Sequence, residues 1–563
     1  MDIKRTILWI VFSFSLLLLW NSYNEYTGQT SIFAPTPTAK KTEDASVAAT
    51  PDTNSTTATA NGADVPTASV AATGSAPAGG PASKGELITI TTDLVEAQID
   101  TAGGEIRHLT LLKHKADGED ATGDVVLFNT TAPNTYLGQT GLTGGAYPNH
   151  KSMYVAKPGV RTLGDGNQVQ LVLEAEQQGV KLIKTFTFKR DSYQIDIKHD
   201  VVNNSGATIT PSLYMQLVRD DAKLDNDSMF QHSAYAGPVV YTDAEKFQKV
   251  SFSDIDGGKP DHVIKADNGW IAMVQHYFVA AFVPPAGVER EIFTKKLGAN
   301  LYAIGDIVPM GAIPAGASKT IDAALYAGPQ ESTRLDEVAP GFDLVKDYGL
   351  LTVIGKPIFW LMTQIHQMLG NWGWTIIVLT IVIKLVFFPL SAAGYRSMAR
   401  MKLVSPKMTD IRARHKGDPQ KMNAAMMELY KTEKINPIGG CFPMLVQIPV
   451  FLALYYVLQA SIEIRGAPWI GWIHNLAAPD PYFILPVLMA VSMFVQTKLN
   501  PTPPDPIQAK IMMFMPIAFS IMFFFFPSGL VLYWVTNNIL SIAQQWVITN
   551  KLTNDKQEKL AKS

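Results

Sequence analysis

Residues 511–550 contain no Asp, Glu, Lys or Arg. A bilayer crossing needs about 20 apolar residues, so this run is long enough for two. Pro527-Ser528-Gly529 falls near its middle and predicts a turn there. The runs 6–24, 435–462 and 481–497 are equally free of those four residues, and 374–390 holds a single charge, Lys384. Charged residues make up 17% of the 563, so they must be concentrated elsewhere. The pattern predicts a membrane protein with a large polar part. One cysteine, Cys441, excludes an internal disulfide.

Residues 1–26 read as an uncleaved signal anchor: Lys4 and Arg5 precede an apolar run that lacks a small-residue cleavage site. Residues 27–85, rich in Ala, Thr, Ser, Pro and Gly, bury too little to fold and predict a flexible tether. From 86 to 340 the period changes to two. Val95, Ala97 and Ile99 alternate with polar residues, as do Val169, Leu171 and Leu173. Phe186 and Phe188 face Tyr193, Ile195 and Ile197 across Arg190-Asp191-Ser192. Many such strands predict an all-β sandwich, placed outside the cytosol by the anchor before it. Residues 341–370, interrupted by Lys356, Pro357, Gln364, His366 and Gln367, fit either a spanning helix or an amphipathic helix in the outer interface, and the second is preferred because a further crossing before Lys384 would put the basic segment outside.

The region 371–550 predicts five further spans, at 374–390, 441–461, 481–498, 510–526 and 529–549, six in all with the anchor. Basic residues check the orientation. Ten fall in 391–435, four in the tail 551–563, and only Arg465 in 462–480. Six spans put both termini and both basic segments in the cytosol, as the positive-inside rule requires.

Lys384 is the costliest residue in this arrangement, at about 2.5–3.5 kcal/mol for a cation at the bilayer centre. Its stem can snorkel to the cytosolic interface, because Leu390 lies only about 9 Å further along a helix. It also has polar company. Trp534, Asn538, Ser541 and Gln545 share a helical face, and Thr380, Gln447 and Gln496 place polar groups on three other spans. Such groups serve either as glue between helices or as the lining of a hydrated cavity. In 391–435, Met398, Met401, Val404, Met408 and Ile411 form one stripe, and Met422, Met426 and Leu429 form a second after a break at Lys416–Pro419. The stripes fit a two-helix hairpin packed on itself. With Arg400, Arg412 and Arg414 among them, they also fit an adaptable surface for apolar segments, RNA or anionic lipid. No HExxH, GxSxG, Walker loop or Cys/His cluster is present, so no catalytic centre, metal or cofactor is predicted.

Three segments carry a resemblance. Residues 436–456, NPIGGCFPMLVQIPVFLALYY, together with Phe526-Pro527-Ser528-Gly529-Leu530-Val531-Leu532-Tyr533 and Asn371-Trp372-Gly373, closely resemble the YidC-type membrane protein insertases. The anchor, tether and β-domain order is similar to the Gram-negative members. The resemblance implies a bacterial inner-membrane protein with a periplasmic β-supersandwich similar to sugar-epimerase folds. It further implies five spans around a groove open to cytosol and lipid. Implied partners are nascent membrane proteins, the ribosome and targeting receptor at hairpin and tail, SecYEG, SecDF and anionic lipid, with no specific DNA binding. It implies ATP-independent insertion, no enzymatic activity, and a groove cation at Lys384, where the family carries arginine. Thr380 matches the family's threonine, and Tyr533-Trp534 stand where paired tyrosines touch substrate. Two other readings stay open on the residues themselves. One is a transporter or channel for an anionic solute, for which no internal repeat is seen. The other is an anchored glycan-acting enzyme, which leaves the basic hairpin and polar spans without a role.

Overall fold

The computed structural model describes residues 65–66, 85–116, 123–131, 134–222, 235–415, 417–433, 442–500 and 506–561. The expected anchor, nearly all of the tether and the motif 436–441 lie outside the described residues.

Between Leu87 and Pro329 the chain forms two sheets, each of nine strands among the described residues. Every pairing within them is antiparallel. The alternation dictates the faces. In Val180–Lys189 every second side chain is buried, and the register sets Phe186 opposite Ile197 and Phe188 opposite Ile195 on Gln194–Asn203. Asp191 takes a φ of 52° in the connecting turn, a conformation that short polar residues tolerate. Ile90, Leu109 and Leu217 of one sheet and Leu171, Phe186 and Phe282 of the other join one apolar core. Such residues contribute roughly 1.5–3 kcal/mol each on full burial.

Several charged groups are sealed into this sandwich. Lys184 shares the buried parity of Leu182 and Phe186 and is 0% exposed. Its ammonium crosses to the facing sheet and donates to the carbonyls of Gly103, Gly104 and Thr140 at 3.0, 3.1 and 2.7 Å. Burial pulls its pKa down to about 7, partly offset by the nearby Glu105 carboxylate. Asp306, also 0% exposed, lies 4.0 Å from Arg290, and neither carboxylate oxygen has a hydrogen-bond partner. Burial raises its carboxyl to about 7 against the pull of the guanidinium.

The sandwich leads through α1 (Ser332–Val338) into a helical region. There α2 (Thr352–Leu369) buries Phe359 and Met362 and turns Val353, Trp360 and Met368 outward. It ends at Gly370, whose φ is 65°, as a left-handed helix cap requires. Asn371 opens α3 (Trp372–Val386) by accepting the Gly373 and Trp374 amides. An uninterrupted helix was expected over 374–390. Instead the chain breaks at Phe387 and α4 (Phe388–Arg414) departs at 69°. The cause is Pro389, which has no N–H for the Leu385 carbonyl and crowds it with its ring.

Next come α5 (Pro419–Thr432), α6 (Phe442–Ala460), α7 (Ile484–Leu499), α8 (Pro506–Met522) and α9 (Ser528–Ala561). α9 continues beyond 549, where a span was expected to end. Among the described residues no single helix is long and apolar enough to cross a membrane; α3 and α4 pass that test together as a bent pair, and 446–460, 484–499 and 510–525 are shorter apolar helices. Ile376 and Leu379 of α3, Leu454 and Val457 of α6, Met489 of α7 and Leu530 and Val531 of α9 share one buried cluster.

The described residues from 400 to 433 belong to a separate compact unit from the rest of the helical region. In it Val404 and Met408 are buried against Met401, Met426, Leu429 and Tyr430, and Lys407 pairs with Glu433 at 2.6 Å. Asp418 caps α5 by accepting the Lys421 amide at 3.1 Å.

Candidate functional site: a buried cation in the helical region

A recess opens between α3, the start of α4 and α6, lined by Ile383, Lys384, Phe387, Ser391, Gln447 and Val450 among others. Four residues expected from sequence meet in or beside it. Lys384, 8% exposed, donates to Ser541 Oγ of α9 at 2.8 Å. Gln447 Nε2 donates to the Tyr533 hydroxyl, so α6 and α9 are joined beside the same recess.

The chemistry of Lys384 stands out against the other buried lysines. Lys184 uses its three donors on three carbonyls. Lys346 uses its donors on both oxygens of Glu463 and on Ser332 Oγ. Lys384 has the one neutral hydroxyl, and among the described residues no carboxylate pairs with it. An ammonium has three donors. Two therefore remain for water or for an acceptor on an incoming chain.

Beyond Gln447, Phe451 meets Trp534 edge-on with centroids 4.7 Å apart and lies 6.5 Å from the Tyr533 ring. Phe519 and Phe523 also pack against Trp534, with centroids 6.3 and 5.6 Å away. The Trp534 indole N–H is buried without an acceptor, and Asn537 Oδ1 and Gln544 Oε1 are buried without a donor. Such atoms are costly in apolar surroundings, and they border the same helix face as Ser541.

Other expected residues go elsewhere. Asn538 donates to Ser492 Oγ of α7 at 3.0 Å, and Gln545 donates to Asn500 at 3.0 Å. That part of the α9 face is interhelical glue. Thr380 returns its hydroxyl to the Ile376 carbonyl of its own helix at 2.7 Å, and Gln496 is half-buried on α7. In the basic segment, Met401 and Met426 pack within the hairpin, while Met398, Met422 and Arg412 are half-buried and Arg400 and Arg414 exposed. Ser391 and Phe451 went unnoticed in the sequence. Phe451 lies one turn after Gln447, and that spacing was the available signal.

An all-β sandwich followed by apolar helices around a buried cation defines the class, an all-β domain joined to an apolar helical bundle. The family follows from comparison. Residues 87–361 match the model of the YidC periplasmic domain and residues 364–556 that of the 60Kd inner membrane protein. The membrane protein insertase YidC of Janthinobacterium sp. (strain Marseille) is 66% identical, over 98% of this chain and 99% of its own. The YidC of Cupriavidus taiwanensis is 53% identical over 100% of both chains. This chain belongs to the YidC family. Among solved structures, an active YidC insertase with its first transmembrane domain resolved covers 81% of this chain and 91% of its own, at 18% identity and a TM-score of 0.39. A galactose mutarotase related enzyme from Lactobacillus acidophilus covers 43% of this chain and 97% of its own, at 9% identity and a TM-score of 0.28.

Proposed function

We propose that this chain inserts nascent membrane proteins into the bacterial inner membrane through the recess at Lys384, without ATP. The observation that carries the reading is the unspent donor capacity of a buried ammonium inside an otherwise uncharged helix. A polar segment of a substrate, due to cross to the far side, enters from the cytosol. Lys384, Ser541 and Gln447 replace part of its lost hydration, and acidic groups in it are drawn to Lys384 across a low-dielectric gap. The substrate's apolar helix passes over Phe451, Tyr533 and Trp534 into lipid, and that partition drives the step.

The remaining topology belongs to the same proposal: six spans, cytosolic termini, a periplasmic β-domain, and α2 in the outer interface. Five of the spans bound the groove. The hairpin and tail, with Arg400, Arg412 and Arg414, dock the ribosome, its targeting receptor or anionic lipid. SecYEG and SecDF are the partners for substrates that need a translocon. No sugar chemistry is assigned to the β-domain, because fold alone does not bring activity.

Site-specific crosslinking tests this. A photoreactive residue at Gln447 or Trp534 should capture a stalled nascent chain, while one at exposed Val353 on α2 should not. Equal capture from all three positions overturns the reading, as does anion flux through reconstituted protein without substrate.

A further inference from the structure

The loop 462–480 joins α6 to α7, and three helices begin on it. At α3, which carries Lys384, Asn371 caps the helix while its amide donates to the carbonyls of Pro468 and Trp469 at 3.3 and 3.2 Å. At α7, Asp480 accepts the Tyr482 and Leu485 amides at 3.0 and 2.7 Å and the Trp472 indole N–H at 3.0 Å. At α9, which carries Ser541 and Tyr533, the Ser528 and Gly529 amides donate to the carbonyls of Ala478 and Leu476 at 2.7 and 2.9 Å. The helix that carries Lys384 and the helix that carries its partner Ser541 thus start from the same segment.

The first residues of that loop are fastened to the base of the β-domain. Glu463 receives the Lys346 ammonium on both oxygens at 2.9 Å. It also accepts the Ser332 amide at 3.0 Å, at the start of α1, where Glu331 supplies no side-chain cap. Lys346, only 3% exposed, spends its third donor on Ser332 Oγ at 2.7 Å and lies 4.3 Å above the Phe359 ring of α2. Beside them Arg465 donates to the Lys115 carbonyl at 2.6 Å and covers the Tyr277 and Phe278 rings. An ion pair whose lysine is buried and has all three donors satisfied holds one geometry. Removing Glu463 leaves Lys346 charged and desolvated, and removing Lys346 takes the partner from a carboxylate that is only partly exposed.

We propose that Lys346 and Glu463 are positioning residues for insertion. Their ion pair fixes the loop 462–480 against the β-domain, and the loop in turn sets the relative placement of α3 and α9 around the recess. The role in insertion rests on the function proposed above; the coupling of the pair to the helices does not.

The test uses the full chain in proteoliposomes, with spin labels replacing the exposed Val386 on α3 and Trp546 on α9, and Cys441 replaced by Ser. Glu463→Gln and Lys346→Met should each broaden the label-to-label distance distribution and lower insertion of a short two-span substrate several-fold. Glu463→Asp, which keeps the charge, should retain most of both, and Lys346→Glu with Glu463→Lys should restore part of what each single variant loses. The distance readout needs no substrate, so it stands even if insertion is not what the chain does. Unchanged distances in both single variants overturn the proposal, as does a charge exchange that restores nothing while Glu463→Asp is as impaired as Glu463→Gln.

Discussion

Replacing Gly373 by Ala puts a methyl group where there is no room for one. A Cβ built on Gly373 lies 2.1 Å from Cδ1, 2.2 Å from Cγ and 2.6 Å from Cβ of Trp469. Carbon atoms sit comfortably about 3.5–4.0 Å apart, so the indole must retreat by about 1.5 Å. Its surroundings resist that. The Trp469 amide donates to the Ile473 carbonyl at 3.0 Å, its own carbonyl accepts from Asn371 at 3.2 Å, and its ring packs edge-on against Trp374 at 5.8 Å. Overpacking in a closed contact costs about 1–3 kcal/mol. In the other direction, Ala gains at most about 1 kcal/mol over Gly in helix propensity, and less in a first turn. With the clash this deep the steric cost wins, for a net loss of about 1–2 kcal/mol. Thermal unfolding of the full chain in detergent, followed by tryptophan fluorescence, should show a lower midpoint for Gly373→Ala. In a Trp469→Ala background, itself destabilised, the same change should become neutral or slightly stabilising, because the obstacle is gone. Wild-type stability of Gly373→Ala alone would refute the argument.

Asp306 gives a pH signature: its carboxyl is raised from 3.8 to about 7 by burial, so the stability it contributes is full below about pH 4 and is lost as pH rises through 7. Asp306→Asn should flatten that slope in unfolding midpoints of the β-domain measured between pH 4 and 8, whatever it does to stability at one pH. Asn538→Ala removes the bond to Ser492 between α9 and α7; it should lower stability by roughly 0.6–2 kcal/mol. Insertion per folded molecule should stay unchanged in this variant, which separates glue from groove on a single helix face.

Much of the β-domain was legible because a period of two allows only two faces. The register of Phe186 against Ile197 follows from that alternation and a tight turn. The same parity flagged Lys184 as buried, since it falls between Leu182 and Phe186, but its carbonyl partners lie 44 to 81 residues away and leave no local mark. In the helical region, counting charges found apolar runs but ignored backbone chemistry, so the break forced by Pro389 was missed although the proline was in plain view. The polar face of α9 was legible as a face. Which of its members would meet Lys384 and which would meet Ser492 depends on where α7 and α3 lie, which periodicity does not encode. Least legible was the pair Lys346–Glu463, 117 residues apart, because an isolated charge beside an apolar run reads as ordinary solvated surface.

The central claim is that the charge on Lys384 acts on the substrate, and an insertion assay with a short two-span substrate bearing an acidic extracytoplasmic segment tests it most directly. Lys384→Arg, which keeps the charge, should sustain insertion; Lys384→Ala should slow it; Lys384→Glu should slow it most, and less so when the substrate's acidic residues are neutralised. Wild-type insertion of every substrate by Lys384→Glu would contradict the account.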